Sequence, residues 1–134
     1  MMRCVRLWTG QDGASHVELG RIDIQPGRND DLVSAAMSAA HVTVEETVGG
    51  GALAWHTAPV RQLVVTLAGT LRFTTRGGEE FTLHPGDVLL AEDTEGSGHH
   101  FQTNGLGSEF QILIQFLMSF SSAATLLCTP RRRS

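Results

Sequence analysis

Apolar and polar positions alternate along most of the chain with a period of two, interrupted by short apolar runs and glycine-rich breaks. A period of two sends successive side chains to opposite faces of a strand, so the pattern predicts β-structure. The expected strands are Val17–Ile24, Val42–Thr47, Leu63–Leu67, Leu71–Thr75, Glu80–Leu83, Val88–Ala91, His100–Thr103 and Glu109–Met118. Turn signals separate them: Pro26-Gly27, Gly49-Gly50-Gly51, Ala68-Gly69, Gly77-Gly78, Pro85-Gly86 and Gly96-Ser97-Gly98. The alanine-rich, proline-free run Leu32–Ala40 predicts one short helix, with Asp30-Asp31 as its cap. Short strands at this spacing point to a sandwich or barrel.

The middle of the chain is the most legible part. Leu63–Leu67 is apolar on both faces, as in a strand covered on both sides. Leu71, Phe73 and Thr75 alternate with Arg72, Thr74 and Arg76, which sets one face inward and one outward. Phe81 and Leu83 return to the core before Pro85-Gly86-Asp87 turns the chain into VLLA. The expectation is a run of antiparallel strands, consecutive in sequence, forming the spine of a single all-β domain.

Composition narrows the function classes. The chain has 134 residues, 41% hydrophobic and 18% charged, enough for one domain with a proper core. Ten basic residues, all arginine, against fourteen acidic ones give a net charge of −4 and no broad basic surface for nucleic acid. The opening MMRCVRLWTG has no apolar stretch after its basic residues, so a secretory signal is not expected and the reading is cytoplasmic. Phe110–Pro130 carries no charge and Arg131–Arg133 follows, but its interspersed glutamine, serine and threonine suit a buried strand better than a membrane span. Cys4 and Cys128 are too few for a disulfide framework; buried thiols are the expectation.

WHTAPVRQLVVTLAGTLRF and LHPGDVLLAEDTEGSGHHFQTNG together resemble the two motifs of a small single-domain cupin, a jelly-roll barrel of the RmlC-like kind. Gly51, Trp55, His56, Gln62 and Gly69 fill the first motif, with Gln62 where the family has glutamate and Ala58 where it has a second histidine. Pro85-Gly86-Asp87, then His99 or His100, then Asn104 fill the second. Asp12-Gly13-Ala14-Ser15-His16 and LLAEDTEGSGH are similar to an uncharacterised subgroup of such proteins. The resemblance implies a jelly-roll fold, a homodimer, and a divalent metal (zinc, iron or nickel) held inside the barrel.

The ligand set implied here is His56, Gln62 and one second-motif histidine. Positions 56, 58 and 62 share parity, so on an unbroken strand all three side chains face the interior. Alanine cannot coordinate, and glutamine offers a neutral oxygen in place of a carboxylate. Adjacent strand residues face opposite ways, so only one of His99 and His100 points inward; His99 is favoured by its distance from Pro85-Gly86. Asp93, with Glu92 before the histidines, is expected in a loop at the barrel mouth, as a substrate contact, general base or local cap. Gln111 and Gln115 share a face of the last long strand and are candidate pocket groups together with Gln62. Arg61 is expected at a rim or interface, and the apolar strand Phe110–Met118 as an edge needing a partner.

Three functions fit these residues. One is a metal-assisted enzyme acting on a small molecule, with His56, His99 and Gln62 as ligands. Another is a metal-free cupin binding a sugar or small metabolite through the same groups. The last is an interaction protein whose barrel is filled by side chains. No reaction follows from the residues alone.

Overall fold

The computed structural model describes residues 2–48, 52–103, 108–117 and 128–130. In chain order the strands are β1 (Arg3–Thr9), β2 (Ser15–Ile22), β3 (Gln25–Pro26), β4 (Leu32–Val33), β5 (Ala39–Thr47), β6 (Ala52–His56), β7 (Gln62–Ala68), β8 (Leu71–Thr75), β9 (Glu80–Leu83), β10 (Val88–Glu92), β11 (His99–Thr103), β12 (Glu109–Phe116) and β13 (Cys128–Pro130). A seven-stranded sheet runs β13-β2-β1-β10-β7-β12-β5, and a four-stranded sheet runs β6-β11-β8-β9. Among the described residues, short β3 and β4 pair only with each other. Every ladder among them is antiparallel except β1 against β10. Two sheets wrapped around one interior, with the chain crossing repeatedly between them, make a jelly-roll barrel.

The crossings correct one expectation. β7, β8, β9 and β10 are consecutive in sequence, yet only β8 and β9 form a hairpin. At Gly69 (φ 80°) the chain leaves the large sheet for the small one, and the Pro85-Gly86-Asp87 turn brings it back so that β10 pairs with β7. Gly69 sits at the tight corner because a Cβ there would overlap the Glu109 carboxylate and its φ is left-handed.

Period-two alternation explains two apolar layers. Val5, Leu7, Val64, Leu89 and Ala91 of the large sheet meet Leu71, Phe73, Phe81 and Leu83 of the small one inside the barrel. Phe73 and Phe81 stack with centroids 4.8 Å apart. Cys4, Ile22, Leu63, Val88 and Leu90 form a second buried cluster on the other face of the large sheet. β7 is therefore buried at successive positions, as its sequence requires. β1 had no counterpart among the expected strands, although its Val5 and Leu7 are fully buried.

The expected helix over Leu32–Ala40 does not form. Asn29 and Asp30 take positive φ in a single 3-10 turn, Leu32–Val33 is extended, and the chain enters β5 at Ala39. A run of nearly all-exposed alanines offers no apolar stripe to pack, and an isolated helix that short is marginal in water. Nor is β12 an edge: β7 and β5 flank it, and β5 is the outermost strand. Cys4 pairs with Gly20 and Cys128 with Ile22 on opposite sides of β2. The Gly49-Gly50-Gly51 turn, Asn104, Met118 and Arg131–Arg133 lie outside the described residues.

Candidate functional site

A cavity of about 380 Å³ opens between the two sheets, so the barrel is not filled by its own side chains. Parity assigns its walls. β7 contributes Gln62 and Val64, β8 Leu71 and Phe73, β10 Leu89 and Ala91, β11 His99 and Phe101, and β12 Gln111 and Leu113. His56 and Glu45 close it from β6 and β5, with Thr57, Ala58 and Pro59 beside them. Positions 56, 58 and 62 all line the cavity, though not on one unbroken strand. β6 ends at His56 in the small sheet and β7 starts at Gln62 in the large one, so residues 57–61 carry the chain across the barrel.

His56 and His99 are direct partners across the β6–β11 ladder, and their rings approach to 4.5 Å between centroids. Gly98 permits this approach: its φ is 73°, and a Cβ there would overlap the His56 carbonyl oxygen. Each ring is fixed through Nδ1. His56 Nδ1 lies 2.8 Å from the Ala54 carbonyl, which can only accept, so this nitrogen carries the proton. His99 Nδ1 lies 2.5 Å from Asp93 Oδ2, the oxygen that also accepts from the Ser15 hydroxyl at 2.6 Å. In both rings Nε2 is the nitrogen left for the cavity.

Asp93 is not at an open mouth. It has no exposed surface and stands behind His99, away from the cavity lining. Its neighbour Glu92 closes β10 and receives Arg6 at 2.7 Å on one oxygen and Arg61 at 2.7 Å on the other. That cluster ties β1, β10 and the 57–61 crossing together on the outside of the barrel. His100, carried as an alternative metal ligand, faces away from the cavity as strand alternation demands. It packs edge-on against Trp55 at 4.5 Å, and the Arg76 guanidinium covers the Trp55 ring at 3.9 Å. Gln62 and Gln111 both line the cavity and are both buried; Gln115 is not among the lining residues.

Two features of the site were not anticipated. Sequence shows Asp93 six residues before His99, but not that Ser15, from β2, meets the same carboxylate oxygen. The other is Glu109, fully buried against Gly69 with neither carboxylate oxygen hydrogen-bonded in ordinary geometry. Burial pushes its pKa up, against a weaker downward pull from the Thr70 backbone. The Gln111 side-chain nitrogen, also buried, has no partner either and offers a donor at the cavity wall.

The cupin likeness implies a divalent metal, and the donor set here does not complete a site for one. Two imidazole Nε2 atoms face the cavity, Ala58 has no donor, Gln62 is neutral, and the Asp93 oxygen nearest His99 is engaged with Nδ1 and Ser15. Among the described residues no group of three His, Cys, Asp or Glu side chains is placed to hold an ion. What the arrangement does provide is an imidazole ring held through Nδ1 by a buried carboxylate, which fixes its orientation and leaves Nε2 toward the cavity.

No protein-family model matches the chain, and no curated protein matches its sequence. Solved structures do match in shape. A putative ethanolamine utilization protein from Salmonella typhimurium aligns at 16% identity and TM-score 0.47, over 87% of this chain and 97% of that one. A cupin 2 conserved barrel domain protein from Leptotrichia buccalis aligns at 20% identity and TM-score 0.46, over 62% of this chain and 38% of that one. A cupin superfamily protein from Desulfitobacterium hafniense aligns at 17% identity and TM-score 0.41, over 72% and 98%. These describe fold likeness only. Among the described residues no helix is long and apolar enough to cross a membrane.

Proposed function

We propose that the barrel is a binding site for a small organic molecule, mainly apolar and bearing one hydrogen-bond acceptor such as a carbonyl or carboxylate oxygen. The observation that carries this reading is the partition of the cavity wall. Val64, Leu71, Phe73, Leu89, Phe101 and Leu113 supply apolar surface, while His56, His99, Gln62 and Gln111 supply polar groups. A pocket at the small end of the ligand-binding range, apolar with a few convergent polar groups, suits such a molecule. The unsatisfied Gln111 amide donor supports an acceptor in the ligand, since leaving that donor empty costs free energy a ligand oxygen would recover.

His99 is the group best placed to exchange a proton with the bound molecule. Its Nδ1 is held by Asp93, which leaves Nε2 to face the ligand, and His56 stands beside it. A second reading, a divalent ion on the two Nε2 atoms, draws support from the engagement of both Nδ1 atoms, a feature of metal-bound histidines.

One experiment separates the two. Native mass spectrometry of protein purified without chelator, beside His56→Ala and Gln111→Leu variants, reports bound mass directly. An organic adduct reduced in Gln111→Leu supports the first reading. Near-stoichiometric zinc, iron or nickel that disappears in His56→Ala overturns it in favour of the metal.

A further inference from the structure

His16, the second residue of β2, is a half-buried imidazole with a carboxylate at each ring nitrogen. Nε2 lies 3.0 Å from both oxygens of Asp12, and Nδ1 lies 3.7 Å from Glu79 Oε1. A carboxylate only accepts, so a neutral ring with its single N–H serves one of these partners and the imidazolium serves both. Trp8, opposite His16 on the β1–β2 ladder, sets its ring 5.2 Å away, which also favours the cation. Arg6 covers the Trp8 ring at 5.3 Å and is taken up by Glu92 and Glu18, so Asp12 and Glu79 are left to His16. The Asp12 bond raises the His16 pKa above its ordinary value. The same bond, with the Ala14 amide, lowers that of Asp12.

This cluster joins the histidine wall through its neighbour in sequence. Strand alternation sends Ser15 to the side opposite His16, where its hydroxyl meets the Asp93 oxygen that holds His99. Asp12 shapes the β1–β2 turn, since its Oδ1 also accepts from the Ala14 amide at 3.0 Å. That turn docks on the segment leading into β11. The Gly13 carbonyl accepts from the Ser97 amide at 2.9 Å, and the Thr9 hydroxyl donates to the Glu95 carbonyl at 3.0 Å. Glu79 belongs to the β8–β9 turn, so His16 bridges a hairpin of the large sheet and a hairpin of the small one.

We propose that His16 is a pH-responsive clamp that sets how firmly the β1–β2 turn holds Ser15 against Asp93 and His99. As an imidazolium the ring ties Asp12 to Glu79 and fixes the turn. Loss of its proton releases one carboxylate, and the turn loosens with Ser15 on it. Because the His16 pKa is raised in the fold, its contribution is fully present below about 6.5, the ordinary imidazole value, and is lost as pH rises through the folded pKa. Because the Asp12 pKa is lowered, its contribution is present above about 3.9 and is lost as pH falls through the folded pKa. The clamp is closed in mild acid and opens on the alkaline side of the His16 pKa, whatever the barrel binds.

NMR of the full chain from pH 5 to 9 reads the His16 ring, the Ser97 amide and the His99 ring in one titration. His16 is expected to titrate with a midpoint above about 6.5, and Ser97 and His99 to inflect at that same midpoint. His16→Gln is expected to remove this inflection from both reporters. Asp12→Asn and Glu79→Gln are each expected to move the His16 midpoint down toward its ordinary value, and circular dichroism confirms that each variant folds. A His16 midpoint at or below the ordinary value overturns the proposal. So does a high midpoint with no matching inflection at Ser97 and His99, or an inflection that persists unchanged in His16→Gln.

Discussion

A carboxylate with no exposed surface needs donors, and Asp93 finds them in the Ser15 hydroxyl and the His99 ring. Removing it leaves both donors buried and unpaired. Asp93→Ala is therefore expected to cost about 2–4 kcal/mol in urea unfolding and to free the His99 ring to turn. A loss below about 0.5 kcal/mol, the range of neutral surface changes, would mean that the Ser15–Asp93–His99 cluster is not formed. Glu109 makes the opposite case, a buried carboxyl with little to hold its charge. Its pKa in the fold is raised above that of the unfolded chain, so its contribution is fully present below about 4.3, the ordinary glutamate value, and is lost as pH rises through the folded pKa. Glu109→Gln removes this titration. The variant is expected to gain on the order of 1 kcal/mol over wild type at neutral pH and to lose that advantage in acid. Parallel unfolding curves at the two pH values check it; an advantage independent of pH would contradict the assignment.

At the scale of elements, the β6–β11 ladder sets the two imidazoles side by side, and Gly98 is the residue that allows it. Gly98→Ala adds strain at a left-handed φ and pushes against the His56 carbonyl. It is expected to cost about 1–3 kcal/mol and to separate the two ring signals in histidine nitrogen NMR, while Gly78→Ala, also at positive φ but in open space, pays only the backbone cost. Strands with clean alternation or two apolar faces were legible in sequence: β7, β8, β9 and β10 fall within a residue or so of expectation. Their partners were not, because glycine corners move strands between sheets and local pattern carries no record of which sheet receives them. β1 alternates as well as any strand, yet that opening stretch was weighed only against a secretory signal, which was not expected, and no strand was assigned to it. The alanine-rich segment failed for a different reason: helix propensity does not substitute for a surface to bury against.

For the molecule as a whole, motif resemblance reached the fold and one side of the site, His56, Gln62 and His99, because those residues lie on strands whose facing follows from parity. It did not reach the support behind them. Asp93 meets Ser15 across 78 residues of sequence, and the opening of the interior depends on side-chain volumes from both sheets. The central claim is that this interior takes a small molecule against the histidine wall. The most direct test is an NMR screen of small ketones, aldehydes and carboxylates, reading the His56 and His99 ring nitrogens and the Gln111 side-chain amide. Wild type is compared with Leu113→Trp, which fills the cavity from β12. The account predicts that some of these compounds shift all three signals in wild type and none of the three in Leu113→Trp. Signals that stay fixed with every compound, or that move equally in the filled variant, would contradict it.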